Sequence, residues 1–215
     1  MVTRATFLAL IVASSTASAA PPSILGGKML GSGTAHHIGL GSPSLSYEWW
    51  QGGARRDWGI GGELVYGEWS GAFSKTDVGI AANLPMRFPL SHRGIWDIAL
   101  KLAPGVMFGD CCGGRREKDR VVFGVRAEGG VLVGASLAKQ VNLVTGGSFP
   151  VTFFAMEDGP EYVVIPLYGR IGVEVMPARP VNVWLLIEMG PAIAIGDFGA
   201  EIDPGFRAWL GATVW

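Results

Sequence analysis

Between Val78 and Leu90 every second residue is apolar. Val78, Ile80, Ala82, Leu84, Met86, Phe88 and Leu90 alternate with Gly79, Ala81, Asn83, Pro85, Arg87 and Pro89. That is the two-residue period of a strand with one apolar face. The pattern recurs and predicts ten strands: Ile24–Ser32, Ile38–Trp50, Trp58–Glu68, Val78–Leu90, Ile95–Phe108, Val121–Leu137, Val141–Phe153, Val163–Val175, Val181–Ile195 and Gly205–Trp215. Alternation is weakest in the first, where Gly26, Gly27 and Gly31 interrupt it. In the last, Trp209 and Trp215 share a parity with Arg207. A bulge, or a rim position for Arg207, would reconcile them.

Alternation alone suits a soluble sandwich or barrel as well as a membrane barrel. The composition of the polar row separates them. A water-facing row is rich in Lys, Glu and Thr, whereas this one is mostly Gly, Ala and Ser. It is punctuated by Glu48, Glu63, Arg87, Asp97, Lys101, Arg126, Glu128, Arg170, Glu174 and Glu188. Small residues with charges of both signs suit the crowded inside of a narrow barrel, where buried charges must pair. The apolar row carries Trp, Phe and Leu too bulky for so small a lumen and suits lipid. The expected fold is therefore all-β: an antiparallel, up-and-down transmembrane β-barrel of ten strands, with eight and twelve as alternatives.

Connections give an independent indication. With Trp215 at the periplasmic side, Gly52–Asp57, Ser91–Gly94, Ala138–Gln140 and Pro177–Pro180 are periplasmic turns. Gly109–Arg120 and Gly196–Pro204 are then the longer extracellular loops, the asymmetry of outer-membrane barrels. Trp49, Trp50, Trp58, Trp96 and Trp215 would gather at one end as an interfacial aromatic girdle.

The start of the chain reads as an export signal. Arg4 precedes the apolar stretch Ala5 to Ala13, and Ala17-Ser18-Ala19 fits a small-residue cleavage site. Residues 1–19 are expected to be removed, leaving 20–215 as one domain in the cell outer membrane. Beyond the signal no apolar run reaches helix-spanning length, and Glu188 interrupts the best candidate, Val181 to Ile195. A formal net charge of −1 excludes nucleic acid as an expected partner.

With these features the chain resembles the small bacterial outer-membrane β-barrel proteins. Such proteins end in an aromatic residue read by the barrel-assembly machinery, and Val214-Trp215 matches that ending. The resemblance implies that machinery and outer-membrane lipids as partners. Gly211 and Thr213 depart from it, standing where larger apolar residues are usual.

Four groups of residues carry candidate chemistry. The interior charges read as a salt-bridged plug or, alternatively, a polar pathway for small solutes. Cys111-Cys112 lies in a loop. A strained vicinal disulfide, a metal contact, pairing to another chain and a functionless oxidised loop all stay open there. His36-His37 is expected at the extracellular end of the first hairpin, with Ser42, Ser44 and Ser46 downstream. A serine hydrolase acting on lipid would need one of these within hydrogen-bond reach of the other. His92 falls on the opposite side. Arg115, Arg116, Lys118 and Arg120, diluted by Asp110, Glu117 and Asp119, would meet lipopolysaccharide phosphates or water. No metal or cofactor is expected. The leading function is non-enzymatic, structural or interaction-mediating, with a charge-plugged lumen. A narrow solute channel comes second and a lipid A-modifying enzyme third.

Overall fold

The computed structural model describes residues 22–42, 44–68, 75–111, 120–156, 161–196 and 199–215. The expected signal, residues 1–19, and the basic stretch 115–118 lie outside them.

Twelve strand segments form one antiparallel sheet that closes on itself. They are β1 (Thr34–Ser42), β2 (Ser44–Gln51), β3 (Asp57–Glu68), β4 (Lys75–Asn83), β5 (Met86–Arg93) and β6 (Trp96–Cys111). The second half comprises β7 (Arg120–Ala138), β8 (Val141–Met156), β9 (Tyr162–Pro166), β10 (Tyr168–Ala178), β11 (Val181–Gly196) and β12 (Gly199–Val214). Two staves of the barrel are each made of two segments. β4 and β5 both lie between β3 and β6, and β9 and β10 both lie between β8 and β11. The barrel therefore has ten strands, as the alternation predicts.

Both interruptions sit at prolines, which cannot donate to a ladder. Around Pro85 the ladder is bridged by Leu84 N–H to the Pro104 carbonyl (2.9 Å) and Gly59 N–H to the Pro85 carbonyl (2.7 Å). Beside Pro166, Leu167 N–H donates to the Pro191 carbonyl at 2.8 Å. Side-chain parity survives the first break: Gly79, Ala81, Pro85 and Arg87 are all buried.

Register fixes the barrel's dimensions. The chain of directly paired residues leads from Gly211 through Gly39, Ser46, Glu63, Ala81, Met107, Gly124, Phe154, Tyr162 and Gly196. It returns to β12 at Gly199, twelve residues from its start. Ten strands with that stagger tilt by about 40° and enclose a backbone radius of about 10 Å. The apolar row faces outward all round: Leu40, Ile60, Ile80, Phe108, Val125, Ile171, Met189 and Leu210 are exposed.

Several expectations change. Ile24–Ser32 is not a strand; residues 22–33 run irregularly, and Ser23 to Gly27 are buried. Ile38–Trp50 is not one strand but parts of β1 and β2, which pair from Thr34↔Gln51 to Leu40↔Leu45. Those two departures compensate, which preserves the count. Gly196–Pro204 is not a long loop, because β11 and β12 pair up to Gly196↔Gly199. Gly109–Arg120 is shorter than expected, since β6 runs to Cys111 and β7 starts at Arg120. The last strand needs neither bulge nor rim: its register against β11 is unbroken, and Arg207, Trp209 and Thr213 share one inward phase.

Candidate functional site: a three-layered lumen

The inward row divides into three layers along the barrel axis. The end that carries Thr34 and Trp215 is called the C-terminal end, and the opposite one the loop end.

At the loop end the layer is apolar. Ala81, Met107, Val122, Phe154, Val164 and Ala194 are buried together with Tyr162. Phe154 and Tyr162 stack with centroids 4.7 Å apart and planes within 17°.

Below it lies an ionic layer. Arg126 reaches Glu63 at 2.9 Å and Glu128 at 3.3 Å, and Lys101 donates to the other Glu128 oxygen at 3.1 Å. Ser44 Oγ donates to Glu63 at 2.5 Å and accepts from Trp209 Nε1 at 3.4 Å. Arg207 stands over the rings of Tyr168 (4.3 Å) and Trp209 (5.5 Å). Glu188 lies 3.7 Å from both Arg207 and Arg170, and accepts from Ser148 Oγ at 3.2 Å. These contacts form a nearly continuous band across the lumen. A cavity of about 100 Å³ lies among them, bordered by Glu63, Arg126, Glu188, Arg207, Trp184 and Trp209.

The third layer is the chain's own amino-terminal segment. Arg87, fully buried, anchors it. One guanidinium nitrogen donates to the carbonyls of Ser23, Ile24 (3.0 Å) and Gly26 (3.1 Å), and the other to Asp57 at 2.5 Å. Asp57 also accepts from the Leu30 amide at 3.0 Å. Ile24 and Leu30 pack with Ala35 and Trp50, while Leu25 packs with Val144, Trp184 and Leu186. Glycine lets the segment approach the wall: a Cβ on Gly27 would run into the Asp97 carbonyl. Burial holds the Lys28 ammonium below its ordinary value, partly offset by Asp97. On the wall beside it, Asn142 donates to Glu174 at 3.4 Å and Trp50 Nε1 to Glu48 at 2.9 Å.

All ten predicted interior charges are buried or half-buried on the inward row. They divide between layers rather than forming one network. Asp97 stands apart, at the C-terminal end, 2.6 Å from His92. Asp57 and Arg207 belong to the lumen but are missing from the predicted set. In the sequence Asp57 falls at the end of a predicted turn, and Arg207 shares a parity with two tryptophans.

The girdle is smaller than expected. Trp58 and Trp96 face outward, and Trp49 meets Trp58 edge-on at 5.4 Å. Trp50 is buried inside, and Trp215 packs against the cluster around it.

His36 and His37 lie at the C-terminal end, not the loop end, paired with Val214 and Thr213. His36 Nδ1 is 2.9 Å from the Tyr47 hydroxyl, and His37 Nδ1 2.8 Å from the Thr213 hydroxyl. His37 also stacks on Trp184 at 4.6 Å. The Ser44 hydroxyl is committed to Glu63, so Ser44 makes no pair with either histidine. Cys111 ends β6, while Cys112 lies outside the described residues. Among the described residues no cluster suited to a metal ion is present.

A closed antiparallel barrel with an apolar outside and a polar inside has the arrangement of the outer-membrane β-barrel class, in which each strand pairs on both sides over at least part of its length. No protein-family model matches the chain, and no curated protein matches it. Among solved structures it is similar to the outer membrane protease OmpT from Escherichia coli. The identity is 11%, the TM-score 0.41, and the match covers 84% of this chain and 96% of that one. The barrel assignment rests on the strand pairing itself.

Proposed function

We propose that this is a non-enzymatic protein of the bacterial outer membrane with a self-plugged lumen and a structural or interaction role in the envelope. The observation that carries the proposal is the segment 22–33 inside the barrel, tied through three carbonyls to Arg87. Two further layers lie above it, one ionic and one apolar. Barrels of about eight strands are already filled by side chains, and ten strands add little width. Every charge in the ionic layer has an opposite charge within reach, as a rigid interior requires. A solute path would need all three layers to part.

The C-terminal end is periplasmic in this reading, so the segment closes the barrel from the periplasm. Trp215 packs against that segment in the finished fold. Assembly machinery reading Trp215 would therefore act before the lumen is filled.

Planar-bilayer recording tests the proposal. The full protein should show no steady conductance. A chain lacking residues 22–33 and carrying Arg126→Gln and Phe154→Ala, one change in each layer, should show discrete steps. Steady openings from the unaltered protein would overturn the plug in favour of a narrow channel.

A further inference from the structure

The wall of the barrel is not of even height. β1 pairs with β12 only from Ser42↔Ala208 downward, and β2 pairs with β3 only from Ser44↔Val65 downward. Yet β12 continues against β11 to Gly199, and β3 continues against β4 to Glu68. Among the described residues, Gly199–Arg207 of β12 and Tyr66–Glu68 of β3 therefore have a strand neighbour on one side only. From the strand rise and tilt, the β1–β2 hairpin stops roughly 10 Å below the top of β3 and roughly 20 Å below that of β12. The resulting notch is two strands wide, with flanking strand axes about 14 Å apart.

Its flanks are apolar on the outside. Ile202 and Phe206 on β12 are 67% and 60% exposed, and Tyr66 on β3 is 40% exposed. The apolar surface thus continues above the notch floor, which places the gap at hydrocarbon depth. Another copy of this chain is a poor occupant. Pro191 and Pro204 are paired, and the Pro191 carbonyl points to Leu167. Pro204 therefore turns its backbone toward the notch, where it presents no N–H and interrupts strand addition.

Behind the notch the lumen is polar and incompletely satisfied. Arg207 Nε and the Tyr168 hydroxyl are buried without hydrogen-bond partners, and both adjoin the ionic layer. The cavity there is lined by Glu48, Glu63, Glu128 and Glu188 against Lys101, Arg126, Arg170 and Arg207. Four acids against four bases favour a dipolar guest over a simple anion.

We propose that the notch is a lateral binding site for a membrane phospholipid with a zwitterionic head. The head would enter the lumen against Arg207 and Tyr168, and the acyl chains would lie outside along Ile202 and Phe206. This rests on the membrane placement proposed above and not on closure along the barrel axis.

The test uses the full protein in phosphatidylcholine vesicles doped with phosphatidylcholine bearing a diazirine near the glycerol end of one acyl chain. After irradiation, labelled peptides are mapped by mass spectrometry. Label is expected on inward Tyr168 or Trp209 as well as on outward Val183 and Leu185. Tyr168→Phe and Arg207→Gln should lower only the inward label, the latter by about tenfold, the equivalent of one hydrogen bond to a charged group. Tyr168→Phe removes a single hydroxyl, so it keeps the test open if Arg207→Gln fails to fold. Label confined to outward residues would overturn the lateral site and leave the membrane placement standing. No label on Val183 or Leu185 would overturn both. A phosphatidylglycerol probe labelling the lumen equally well would overturn the zwitterionic assignment.

Discussion

Arg87→Met removes a cation in contact with both Asp57 and the amino-terminal segment and leaves an apolar side chain in its place. Two outcomes bound its cost. If residues 22–33 stay in place, Asp57 becomes an unpaired carboxylate with no exposed surface, and such a loss costs about 3–5 kcal/mol. The three carbonyls that Arg87 serves add about 1–3 kcal/mol each where no water replaces the donor. If the segment leaves instead, Ile24, Leu25 and Leu30 lose burial, at about 1.5–3 kcal/mol apiece. Either route predicts a loss of at least about 3 kcal/mol. Urea titration in phospholipid vesicles, followed by tryptophan emission, measures it. Trypsin separates the routes, because Lys28 lies within the segment: cleavage after Lys28 rises only if the segment is released. The double variant Arg87→Met/Asp57→Leu should recover most of the loss, since an apolar replacement of a buried pair is often neutral. A loss below about 1 kcal/mol for the single variant, with Lys28 uncut, would refute Arg87 as the anchor.

Two further substitutions probe the other layers. Phe154→Ala removes the ring stacked on Tyr162 and should cost about 3–5 kcal/mol in the same titration, with no new cut at Lys28. Gly211→Val would drive a side chain into the Ile38 carbonyl and into Trp184, which also lies against Gly39. It should destabilise by at least about 1–3 kcal/mol, the range for overpacking. Gly211→Ala combined with Trp184→Leu should recover only the part due to the indole, because the Ile38 carbonyl stays, and an unaltered midpoint for Gly211→Val would refute the close packing at Gly211.

How far the sequence carries the structure depends on the kind of information involved. Parity is local, so the inward and outward faces of eight predicted strands are legible from alternation alone. Ring closure is implied by the membrane argument, because open edges are not tolerated in lipid. Which inward charge meets which is set by the twelve-residue stagger, and no local pattern encodes it. Glu63 meets Arg126 across the lumen although they lie on β3 and β7. The Trp184 site is similarly distributed, built from a large residue on β11 and glycines on β1 and β12. Gly211 therefore looked like a defect of the last strand when read along one strand only.

The amino-terminal misreading has a sharper cause. Ile24 to Ser32 holds apolar residues among glycines, and that composition fits a weak strand or a segment folded against a wall. Parity cannot choose between them, because the glycines leave too few apolar positions to show an alternation. Topology can. With both ends of the sheet at one face, the barrel needs an even number of strands. Removing the first predicted strand leaves nine, so another stretch must divide. Ile38–Trp50 is the stretch with turn chemistry inside it, Gly41-Ser42-Pro43-Ser44, and the structure divides there. The same division shortens β1 and β2 and so creates the notch. A filled lumen at one end and a lowered wall at the other thus trace to one reassignment of the chain between residues 22 and 51.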